Sequence, residues 1–163
     1  MCGAQVSGGR ITFHYRPDIG LWRLRPAGRY KAWLKMSLAA EGQGEIAHLA
    51  YTFVSLSEMQ SLHETLLGDP SPTDVLTLDY REAPDAPLLA EIFVCPAFVK
   101  TSARTYRLPY GEELRRVLVH ALLHLLGYRD DTPENRLRMR SAEERCLSLW
   151  KTLNYLFHET PRV

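Results

Sequence analysis

Cysteine is scarce in this chain: Cys2, Cys95 and Cys146 are the only three in 163 residues, and no two have a paired spacing. An odd, scattered set argues against a disulfide framework and for a reducing compartment. Excess charge is missing too. Twenty Lys and Arg stand against 19 Asp and Glu, a net +1, so bulk charge points to no partner. No apolar run approaches the ~20 residues that a membrane span needs. The start, MCGAQVSGGR, has none of the apolar stretch that a secretory leader carries. Together these absences predict a cytoplasmic protein with no membrane partner. Repeats, low-complexity tracts and linkers are absent as well, which predicts one domain over residues 1–163, long enough to bury a core.

What is present is ordinary in bulk and uneven in detail. The 45% hydrophobic and 24% charged fractions are those of a soluble globule. Residues 71–99 hold five acids and only Arg81, whereas residues 100–151 hold eleven Lys or Arg against seven acids. A bias of that size describes a solvated face as readily as a polyanion surface.

Along the chain, ITFHY at Ile11–Tyr15 reads as a strand between Gly-Gly and Pro17. Helical spacing over Tyr30–Ala40 ends near Gly42, and the alternation of Ile46–Val54 predicts a second strand. Ser57, with Gln60 three residues on, predicts a capped helix running to Leu67 and stopping at Gly68. Val75–Tyr80 and Glu91–Val94 read as strands three and four, joined through the PDAP turn. Ala97–Arg104 reads as a short helix and Tyr110–Leu126 as a long one with Glu112 and Glu113 in its first turn. Thr132 caps a last helix that has Pro133 at its first position and runs to about Leu153. A few strands followed by helices predict an α+β domain, with about five helices over a small sheet.

The informative stretch is HALLHLLGYRDD, residues 120–131. Apolar residues surround the axis over 117–126, the mark of a buried central helix. His120 and His124 are its polar exceptions, and four-residue spacing puts them on one face. Left without partners, two buried imidazoles would each cost about 1–3 kcal/mol. Two imidazole nitrogens one turn apart can instead grip one metal ion. Gly127 lets the chain reverse, and Asp130 then lies where a carboxylate reaches the same ion, with Asp131 as the alternative. Two His and one carboxylate leave a coordination position free, as in catalytic sites. A peptidase of the HExxH type would need a base at position 121, where this chain has Ala121.

This stretch resembles the YbeY family of bacterial rRNA maturation factors, whose signature is close to H-G-x-L-H-L-x-G-Y-D-H. His120, Leu123, His124, Leu125, Gly127 and Tyr128 fit it, and the last signature position falls on Asp130. A second block, T-[DN]-V-L-[ST], matches Thr73, Asp74, Val75, Leu76 and Thr77; a third matches Glu91, Ile92 and Val94. The resemblance covers most of residues 10–155. It implies a mixed four-stranded sheet, a metal site at the end of the His helix, and a metal-dependent endoribonuclease of single-stranded RNA. That activity would serve 16S rRNA 3′-end processing and ribosome quality control. The implied partners are rRNA and the small ribosomal subunit or its assembly factors, without DNA. By carry-over, His120 and His124 are the first two zinc ligands.

Three departures bear on the chemistry. Asp130 stands where the family has a third His; its harder, charged oxygen admits other divalent ions beside Zn2+. Arg129 replaces an Asp and offers a guanidinium to phosphate, so a catalytic role is expected of it alongside His120 and His124. Leu67 stands where many members carry an Arg before the loop glycine. Arg104, Arg136 and Arg140 are the expected RNA-backbone contacts, with an exposed face paired to Glu143 and Glu144 as the alternative for the last two. Glu91 is a candidate to orient a ligand imidazole, His158 is a further residue that could reach the site, and Asp74 is expected to cap a turn. Two rival functions are a ribosome-assembly factor whose metal only staples helix to loop, and a small metallopeptidase.

Overall fold

The computed structural model of the protein describes residues 9–42 and 45–158, the side chains of the last four excepted. Its elements run β1 (Arg10–Tyr15), a 3-10 turn (Pro17–Ile19), α1 (Ala27–Ala40), β2 (Ile46–Phe53), α2 (Leu56–Leu67), β3 (Val75–Asp79), β4 (Leu88–Val94), α3 (Pro96–Tyr106), α4 (Tyr110–Leu125) and α5 (Pro133–His158). The sheet order is β1-β2-β4-β3. β1, β2 and β4 are parallel, and β3 runs antiparallel to β4 at the edge. This is the α+β fold that the order of elements predicted, with the mixed four-stranded sheet that the resemblance implied.

Alternation along the strands sorts the core. Leu49, Tyr51 and Phe53 of β2 and Ala90, Ile92 and Val94 of β4 join Trp33, Leu34 and Leu38 of α1 in one buried cluster with α4 and α5. The opposite face buries a smaller cluster, Val54, Met59, Leu76, Phe93 and Cys95, beneath α2. α4 is the central helix: it packs against α1, α3, α5, β3 and β4. Leu118 and Val119 are wholly buried and Leu122 and Leu123 nearly so, which is why its sequence is apolar on all sides. Two buried polar handles fix its surroundings. The Tyr51 hydroxyl donates to the Leu118 carbonyl at 3.0 Å, and the Trp33 indole N–H donates to the Cys146 carbonyl of α5 at 2.7 Å. No helix of the described residues is long and apolar enough to cross a membrane.

Boundaries depart from expectation in several places; α1, for example, begins at Ala27 and not Tyr30. Ser55, not Ser57, caps α2; its hydroxyl accepts from the Glu58 amide at 3.2 Å. Ser55 lies just beyond β2, so the chain turns directly from strand into helix and the cap falls two residues early. β4 begins at Leu88, because parallel pairing to β2 extends back over Leu88–Ala90. α5 continues to His158, well past Leu153.

Candidate metal centre

The C-terminal turn of α4 ends in hydrogen bonds that aim the following loop. Gly127 adopts φ +96°, a conformation that costs little without a Cβ. Its amide donates to the His124 carbonyl at 3.0 Å, and the Tyr128 amide donates to the Leu123 carbonyl at 3.1 Å. This paired closure is a Schellman motif. From β3's end the Arg81 guanidinium, held by Asp79, donates to the Leu125 carbonyl at 2.7 Å. The loop then returns to Thr132, whose hydroxyl accepts from the Asn135 amide at 3.1 Å to start α5.

This reversal brings three donor groups together. The His120 and His124 Nε2 atoms lie 3.0 Å apart. Asp130 Oδ2 lies 3.5 Å from the first and 3.4 Å from the second. Bonds of about 2.0–2.2 Å to a tetrahedral ion give ligand-to-ligand edges of about 3.4 Å, so the triangle has the size that such an ion requires. The three side chains keep 26%, 34% and 48% of their surface exposed, which leaves the centre open on one side.

The far side of each imidazole explains why these atoms converge. His120 Nδ1 lies 3.0 Å from Glu143 Oε2, and His124 Nδ1 lies 3.0 Å from the Tyr128 carbonyl oxygen. Both oxygens accept, so each Nδ1 carries the hydrogen and each neutral ring turns a bare Nε2 lone pair inward. Two lone pairs and a carboxylate at this spacing repel one another unless a cation lies between them. The surroundings favour positive charge. Burial lowers the His120 pKa, but the Glu143 hydrogen bond and the Glu143, Asp130 and Asp74 charges more than offset it and hold the imidazole above its ordinary value. Glu143 is itself 6% exposed. Arg116 holds it at 3.3 Å and reaches Glu144 at 2.9 Å.

The other expected residues divide. Arg136 and Arg140 line a cavity of about 470 Å³ with His120, Asp130 and Glu143. Arg104 is exposed on α3 and does not line it. Arg129 is exposed and paired with Asp131, lining a different hollow with Glu41 and Tyr128. Arg129 thus lines the hollow beside the His120 cavity and not that cavity itself. Asp131 is occupied by Arg129 and by the Asn135 amide nitrogen at 2.7 Å. Glu91 sits within β4 opposite Leu78 and Ala50; the orienting acid is Glu143, one face with Arg136 and Arg140 at i, i+4 and i+7, a spacing that the sequence already carried. Asp74, expected as a turn cap, lies near enough to contribute to the charge felt by His120, and burial raises its own pKa. Leu67, 66% exposed at the end of α2, offers no cation. His63 is buried and bonded to the Ser71 carbonyl at 2.8 Å. The side chain of His158 lies outside the described residues. A larger cavity of about 660 Å³, at the carboxyl ends of β2 and β4, is lined mainly by apolar side chains such as Trp22, Leu56 and Pro96 and contains no histidine.

A family model described as Endoribonuclease YbeY matches residues 25–151. The Endoribonuclease YbeY of Bacteroides fragilis is 34% identical over 119 residues, 73% of this chain and 84% of that protein. The protein of the same name from Cytophaga hutchinsonii is 32% identical over 139 residues, 85% and 95% of the two chains. Among solved structures, the solution structure of TM1509 from Thermotoga maritima aligns with a TM-score of 0.59 at 26% identity, covering 88% of this chain and 93% of that one.

Proposed function

The chain belongs to the Endoribonuclease YbeY family, and from that premise we propose that it cuts single-stranded ribosomal RNA at a metal held by His120, His124 and Asp130. The observation that carries the metal is the convergence of two Nε2 lone pairs and one carboxylate within 3.5 Å of one another. The ion is Zn2+, with another divalent cation admitted by the Asp130 oxygen. When bound, it supplies Lewis acidity to a phosphoryl oxygen and activates water as nucleophile.

The protein's own side chains do the remaining work. Arg136 and Arg140 enter the cavity from α5 and hold the scissile phosphate's neighbours by charge-assisted hydrogen bonds. Glu143 and the Tyr128 carbonyl fix both imidazoles in the tautomer that ligates. Arg116 holds Glu143 in place with an ion pair at 3.3 Å. The biological substrate in this reading is the 3′ end of 16S rRNA, in the cytoplasm, with the small ribosomal subunit or its assembly factors as partners. Ribosome quality control would follow from the same cut.

One observation favours a second reading. Leu67, exposed at the end of α2, stands where the family resemblance implies an arginine, so the ion could serve as a staple between α4 and the loop before α5 in a non-catalytic assembly factor. The peptidase reading has no such support, since Ala121 is fully buried where a base would have to project. Incubation of a single-stranded 16S 3′-end RNA with wild type and with His120→Ala separates the two. The nuclease reading expects cleavage that falls by at least about 100-fold in the variant. Absence of cleavage by wild type, with a thermal midpoint that drops on chelation, would replace it with the staple.

A further inference from the structure

Leu137 is 69% exposed on the first half of α5. Isolated exposed leucines are common on protein surfaces, but this one stands between two hollows. On one flank it lines the cavity of about 470 Å³ that holds His120, Asp130, Arg136 and Arg140. On the other it lines a hollow of about 340 Å³ with Tyr128, Arg138, Ser141 and Arg145. The helix therefore presents an apolar ridge with arginines on either side.

The arginines of the far hollow are available to an anion. Arg138 pairs with Glu134 at 2.7 Å, but the two side chains are 68% and 73% exposed, and such a solvated pair is readily exchanged. Arg145 is 55% exposed and braced from behind by Glu41, whose side chain is 5% exposed, at 3.0 Å to Oε1. Nε and Nη2 of Arg145 are used on Glu41 and the Tyr128 hydroxyl. The pair with Glu41 offsets much of its charge, so Arg145 offers a phosphate the ordered N–H groups of Nη1, and Arg138 supplies the freer charge.

Resting on the nuclease reading above, we propose that single-stranded RNA leaves the metal cavity by crossing α5 over Leu137. One nucleotide packs its base face on that side chain, and the next phosphate is received by Arg138 and Arg145. Arginines on both flanks, each set with acids beside it, and continuity with the cavity of His120 fit a polyanion entering the same site. The apolar ridge selects a strand whose bases are unstacked and free to pack, which a duplex does not offer. Leu137, Arg138 and Arg145 are positioning residues in this account; they touch RNA away from the bond that breaks.

The test is fluorescence anisotropy of a labelled single-stranded RNA of about 12 nucleotides, with metal-loaded wild type, Leu137→Ala, Leu137→Met and Arg138→Ala. Leu137→Ala weakens binding about threefold to tenfold, as loss of apolar area packed against a base does, without altering the salt dependence. Leu137→Met restores it. Arg138→Ala lowers the slope of log affinity against log salt by about one. Duplex RNA of the same sequence responds to neither Leu137 variant. The proposal is overturned if Leu137→Ala binds the single strand as wild type does, or if duplex affinity falls equally. RNA binding with these responses but without cleavage by wild type would sink the nuclease reading and leave the crossing; no RNA binding by wild type would sink the crossing.

Discussion

Among the described residues two histidine pairs stand out, and they are opposites. On the sheet, His14 and His48 both place Nε2 on the Thr12 hydroxyl, at 2.8 Å and 2.7 Å. A hydroxyl donates once and accepts as well, so one oxygen satisfies two neutral imidazoles with no ion. On α4, the Nε2 atoms of His120 and His124 face each other at 3.0 Å, and their Nδ1 hydrogens are already committed to Glu143 and the Tyr128 carbonyl. Burial lowers the His48 pKa, reinforced by Arg10 and His14. At His120 burial acts the same way, yet Glu143 and the nearby carboxylates reverse the result. What makes a metal site is therefore not two histidines in reach of one another. It is what each ring's other nitrogen touches, and whether negative charge gathers behind it.

The largest expected effect comes from removing a ligand. His124→Ala should abolish stoichiometric metal binding and nuclease activity, while His14→Ala leaves metal content unchanged; equal losses in both would erase the distinction. Next is the acid behind the ring. Glu143→Gln keeps the shape but donates or accepts ambiguously at Nδ1, so metal affinity should fall about 10–100-fold, measured by competition with a chelator of known affinity. An unchanged affinity would mean that the carboxylate is mere packing. The loop that delivers Asp130 is a smaller lever. Gly127→Ala forces a Cβ into φ +96° and should cost about 1–2 kcal/mol of stability, seen in denaturant unfolding of the metal-free protein. The smallest effect is pH dependence at the sheet pair. A lowered His48 pKa means that the unfolded chain binds the proton more readily, so the stability it contributes is present above the ordinary value of 6.5 and lost as pH falls through the folded one. His48→Gln should flatten the stability curve just below pH 6.5, and a curve of unchanged slope would contradict this.

Much of this was legible in the residues, for physical reasons. The order of strands and helices followed from period-two and period-3.6 patterns, and α4's centrality from its all-round apolarity. His120, His124, Gly127 and Asp130 lie within eleven residues of one another, so local helix geometry and one glycine turn nearly determine their meeting. The misplaced features are long-range. Glu143 lies 23 residues from His120; only the packing of α5 on α4 turns it from a surface charge into a buried partner. Arg129 is read from its place beside Asp130 and Arg104 from its charge; neither reading contains the packing that decides which hollow a side chain lines. The spacing of Ser57 to Gln60 suggests a cap at Ser57, whereas the end of β2 at Phe53 puts it at Ser55.

The most direct test is metal content by mass spectrometry of wild type, Asp130→Ala and the His14→Ala, His48→Ala double variant, each purified without added metal. The account expects one equivalent of divalent ion in wild type and in the double variant, and its loss in Asp130→Ala. Full metal content in Asp130→Ala, or none in wild type, would contradict it.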